Sequence, residues 1–197
     1  MLAKDLIIHF SAYEDVPIEV QDDVVPILQA YMPFDLWFWP MPAEVLDTNI
    51  YKGMVKVDEL IPWNDGTTRR SVEIQYADFL PTCWQRLVCC KELIHYLDPI
   101  EQRVSTDPAF QRLVERIVLP VEMYDANDGM SVWNDRLGIW HALAVLFPWA
   151  CRQLYEAPLR DGKMTLEEIA GEVDLPVEYV AVVMHEDWAH VYHLVVN

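Results

Sequence analysis

Apolar positions recur along this chain with two different periods, and the switches between them predict where helix gives way to sheet. Residues 4–10 form a short apolar run that fits either a strand or the lead-in to a helix. After Pro17, the positions Val20, Val24, Val25, Leu28 and Tyr31 repeat at helical spacing across residues 18–31, and Pro33 ends the segment. Phe34, Leu36, Trp37, Phe38 and Trp39 follow, with Pro40 and Pro42 behind them. This aromatic knot reads as a buried plug beneath a sheet rather than as an exposed patch. The period then falls to two. Residues 51–60 set Met54, Lys56 and Asp58 against Val55 and Val57, and residues 71–76 alternate likewise. Asn64-Asp65-Gly66 between them is a turn signal, so the pair predicts a β-hairpin with a long loop.

Helical spacing returns from Phe79. Residues 84–97 place Leu87, Val88, Lys91, His95 and Tyr96 along neighbouring faces, and Pro99 closes the segment. Asp107 and Pro108 open a predicted helix that runs to Leu119. After the turn Asn127-Asp128-Gly129, Ser131 caps the longest predicted helix, which continues through Leu146 until Pro148 bends or ends it. Thr165 with Glu168 three residues on predicts a capped short helix over 164–171, and Asp174-Leu175-Pro176 leads into a last helix over 177–191.

Composition narrows the function classes. The 197 residues are 53% hydrophobic and 23% charged, which fits one folded domain and excludes intrinsic disorder. A net charge of −18 repels phosphate backbones, so no nucleic-acid partner is expected. The most apolar stretch, 137–150, is interrupted by His141 and Pro148 and is too short to span a bilayer. The opening Met1-Leu2-Ala3-Lys4-Asp5 has no basic leader region. The four cysteines, Cys83, Cys89, Cys90 and Cys151, show no CxxC spacing and read as reduced, buried thiols. The expectation is a cytoplasmic protein that uses no membrane.

One stretch carries candidate chemistry: Gln85-Arg86-Leu87-Val88-Cys89-Cys90-Lys91-Glu92-Leu93-Ile94-His95-Tyr96-Leu97-Asp98. It resembles the active-site helix of ImmA/IrrE-type zincin metallopeptidases, in which an arginine, an aromatic residue, a threonine and small residues precede HExxH. Downstream, residues 134–148 resemble that family's third-ligand helix. Asp135 stands at its glutamate position, Gly138 at its small position and Pro148 at its closing proline. Residues 166–170 and 175–180 resemble the short helical pair that follows the family's core. The resemblance spans about residues 50–184, in the family's order. It implies an α+β fold: a zincin-like core with a small β-sheet packed on helices, and a C-terminal helical extension. All of 1–197 would form a single domain, with the core at about 50–150 and the extension at about 160–197.

The departures from that pattern bear on function. In HExxH two histidines one turn apart bind zinc and the glutamate activates a water. Here Glu92 and His95 match the glutamate and the second histidine, but Lys91 replaces the first. An ammonium has no lone pair and cannot ligate zinc. His95 and Asp135 would be the only protein ligands, one short of a usual catalytic site. The resemblance therefore implies a catalytically inactive relative, with Glu92 a vestigial general base and no cofactor. Lys91 would stand in for the metal, between Asp135 and Glu92 or near His95, unless its stem carries the ammonium out to solvent. The former cleft would serve binding or regulation of a protein partner, in a bacterial or phage setting where active members cleave repressor-type proteins. One alternative is a divalent-metal peptidase at Glu92, His95 and Asp135, with zinc as the ion and His141 or water completing the site. Another is an acidic protein that binds a basic partner through its surface.

Other constellations read as ordinary structure. His185 and His190 are five apart, about 140° around a helix, and share no face. His190 and His193 can share one but would chelate weakly. Cys90 and His95 have the same offset of about 140°, which argues against a catalytic dyad. His141, in an apolar helix, reads as a hydrogen-bonded core or cleft residue, and the helical pair near Met164 is too acidic for a DNA-recognition unit.

Overall fold

The ambiguous N-terminal run folds as a helix. In the computed structural model, which describes residues 2–44, 52–57, 61–62, 68–98 and 137–197, α1 spans Ala3–Phe10 and buries Leu6, Ile7 and Phe10 along one side. Leu2 offers no capping side chain, so the carboxylate of Asp5 reaches back and accepts the Leu2 N–H at 2.8 Å. The next helical segment opens wider than expected. Val20–Val24 forms a π turn before α2, Val25–Tyr31. Pro26 near the α2 start supplies no N–H, and the turn ahead of it adopts i→i+5 spacing, as in the bond from the Val24 N–H to the Glu19 carbonyl.

The sheet is mixed. Strand β1, Phe34–Met41, runs parallel to β4, Thr68–Ala77, with Leu36 opposite Val72 and Phe38 opposite Ile74. Strand β2, Gly53–Val57, lies antiparallel on the other side of β4, and the two-residue β3, Ile61–Pro62, pairs antiparallel with the start of β4. The order is β1-β4-β2. The antiparallel β2–β4 pairing agrees with the expected hairpin; its turn at 64–66 lies outside the described residues.

The aromatic knot is a strand and not a plug beneath the sheet. Alternation along β1 turns Leu36 and Phe38 to the core and leaves Trp37 and Trp39 about half exposed on the opposite face. Only Phe34 is deeply buried, against Tyr96 at a ring separation of 5.0 Å.

Helix α3, Thr82–His95, packs on β4 and β2 with Val88 and Glu92 against Gly53, and its Leu87, Cys90, Leu93 and Ile94 are buried in the core. Gly53 permits this approach. A Cβ there would lie 2.4 Å from Val88 Cγ1 and 2.8 Å from the Gln75 carbonyl. The predicted helix over 107–119 lies outside the described residues. Residues 137–146 form α4, whose positions 142–146 are all buried. Pro148 ends it and starts α5, Trp149–Arg160. Helix α6, Leu166–Val173, carries the expected capping box: Thr165 Oγ1 accepts the Glu168 N–H at 3.2 Å, and Glu168 accepts the Thr165 N–H at 2.8 Å.

The last predicted helix is two: α7, Val177–Met184, and α8, Trp188–Val196. Arg152 of α5 explains the break. Its Nε donates to the Val183 carbonyl at 2.7 Å and its Nη2 to the His185 carbonyl at 3.3 Å. A continuous helix would have offered Val183 to the Asp187 N–H, which instead donates to His185 Nδ1 at 3.2 Å. Buried apolar residues from α1 through α8 join in one cluster, and the fold is α+β. No helix among the described residues is long and apolar enough to cross a membrane.

Candidate functional site

The last turns of α3 gather the charged residues singled out from sequence. Lys91 and His95 are one turn apart on the side facing α4, and Glu92 lies beside them over β2. Lys91 Nζ is 3.0 Å from Glu92 Oε1, and both side chains are almost wholly buried, at 12% and 6% exposure. The ammonium therefore sits against a carboxylate inside the protein and does not reach out to solvent. The Glu92 side of the expected Lys91 environment is in place. Asp135 lies outside the described residues.

Gly138 of α4 meets α3 at the same point. A Cβ on it would stand 2.6 Å from His95 Nε2, 2.7 Å from His95 Cε1 and 3.4 Å from Lys91 Cγ. Only the missing side chain lets α4 come down on the imidazole. On its other edge, His95 Nδ1 lies 2.7 Å from Asp98 Oδ2, which holds the ring in place at the end of the helix. His141, three residues beyond Gly138, is half-buried close enough to feel both groups. Burial lowers its pKa to about 4; the Asp98 charge opposes that shift and His95 adds to it. Its ring is thus neutral at pH 7.

This arrangement joins Lys91, Glu92, His95 and His141, and adds Asp98 and Gly53, which the sequence reading did not single out. Asp98 had a signal: a carboxylate three residues after a histidine at a helix end. Gly53 had none, because its role depends on what crosses above it.

Chemically the cluster is a buried ion pair beside an imidazole–carboxylate pair. It does not fit the zinc site that the resemblance implies: where that pattern has its first histidine the chain carries an ammonium, 3.0 Å from the neighbouring Glu92 carboxylate. Among the described residues, no three His, Cys, Asp or Glu side chains are grouped to hold a metal.

The remaining candidates are dispersed. His190 and His193 lie exposed on α8, and His185 Nδ1 is 3.4 Å from an Asp187 carboxylate at the surface. All four cysteines are free; Cys89, Cys90 and Cys151 are buried. Burial pushes the Cys90 and Cys151 thiols up to about 12 and raises Cys89 as well, so none supplies a thiolate near neutral pH. Comparison of the chain with protein-family models, with curated proteins and with solved structures found no match.

Proposed function

We propose that this protein is a catalytically inactive metallopeptidase-like protein, with a zincin-like core whose former active-site cleft serves as a binding or regulatory surface for a protein partner. The observation that carries the reading is the buried Lys91–Glu92 pair at 3.0 Å, on the helix where the resemblance would require a metal ligand beside a general base. An ammonium there neutralises the carboxylate without a metal, and a buried charge persists when so paired. Contact of Gly138 with His95 supports the same reading, since the resemblance assigns Gly138 to the small position of a helix that meets the HExxH helix. On this reading Glu92 is a vestigial base, His95 is a retained ligand residue held by Asp98, and Asp135 is the counterpart of the third ligand. The resemblance points to bacterial or phage regulation, and the cysteine pattern of the sequence points to a cytoplasmic setting.

Metal content of the tag-free protein, purified without chelator beside a Lys91→His variant, tests this. The expected result is no metal in the parent and near-stoichiometric zinc in the variant. Stoichiometric metal in the parent would overturn the reading and favour a divalent-metal peptidase at Glu92, His95 and Asp135.

A further inference from the structure

We draw no further inference here: the strongest candidate, the pocket of about 350 Å³ at the α7–α8 corner lined by Ala181, Val182, Trp188 and Val191, is an open apolar face, and nothing in the structure shows what covers it.

Discussion

Lys91 and Arg86 lie five residues apart on one helix and both bury a cation, yet the two ends of α3 satisfy that charge in different ways. At the N-terminal end, Arg86 donates to the carbonyls of Ile18 and Asp174 at 2.6 Å each and to that of Val173, and it pairs with the Asp174 carboxylate at 3.3 Å. Arg152 repeats the pattern on the carbonyls that end α7. At the C-terminal end, Lys91 meets the side chain of its neighbour Glu92. A guanidinium seated on backbone carbonyls closes helix ends and is part of how the chain is built. An ammonium seated on a side-chain carboxylate is held by a partner that one substitution can change. The first region is scaffold; the second has the composition of a site.

The sharpest way to break this contrast is Arg86→Met. It removes the guanidinium donors to three carbonyls at once and leaves Asp174 without its guanidinium, at an expected cost of about 3–5 kcal/mol in urea-unfolding free energy. A cost below that of any change at Lys91 would reverse the assignment of scaffold and site. Lys91→Met comes next. It leaves the Glu92 carboxylate buried without its ammonium and should cost about 3 kcal/mol at neutral pH, with part of the loss recovered in Lys91→Met/Glu92→Gln. A double-mutant cycle with no coupling would show that the pair does not act as a unit.

The pH dependence sharpens the same comparison. Because burial depresses His141 from 6.5 to about 4, the folded protein binds fewer protons than the unfolded chain between those values. The His141 contribution is complete above about pH 6.5 and is lost as pH falls toward 4, on the order of 2 kcal/mol. His141→Gln should flatten the stability profile in that window, and an unchanged profile would place the acid sensitivity elsewhere. The smallest expected effect lies in the C-terminal helices: Thr165→Ala removes the cap of α6 and should cost about 1 kcal/mol, read as a drop in Tm without change at the Lys91–Glu92 pair.

Local chemistry made much of this legible. The Thr165–Glu168 cap, the proline at the α4–α5 junction and the two alternating strands follow from interactions within a few residues, and the fold bears them out. Two readings needed distant information. The segment 177–191 has helical periodicity throughout, but Arg152 from another helix takes the Val183 carbonyl and breaks it. The run 34–39 is apolar enough for a core, but strand alternation turns two of its tryptophans outward. The helix predicted over 18–31 begins as a π turn ahead of Pro26, a local departure that spacing of apolar residues does not reveal.

The sequence by itself determined the residue types of the candidate site: one helix carrying Lys91, Glu92 and His95, with an ammonium where the resemblance has a metal ligand. It also determined the acidic charge and the mixture of helix and sheet, because composition and periodicity are properties of the chain alone. Only the tertiary structure decided that the Lys91 ammonium stays inside against Glu92 rather than reaching solvent, since its flexible stem permits either. The same holds for Gly138 seated on His95 and Gly53 beneath Val88, where the absence of a side chain matters only because another helix or strand arrives there. Spacing along one element sets which groups share a face; the packing of a second element sets what those groups meet.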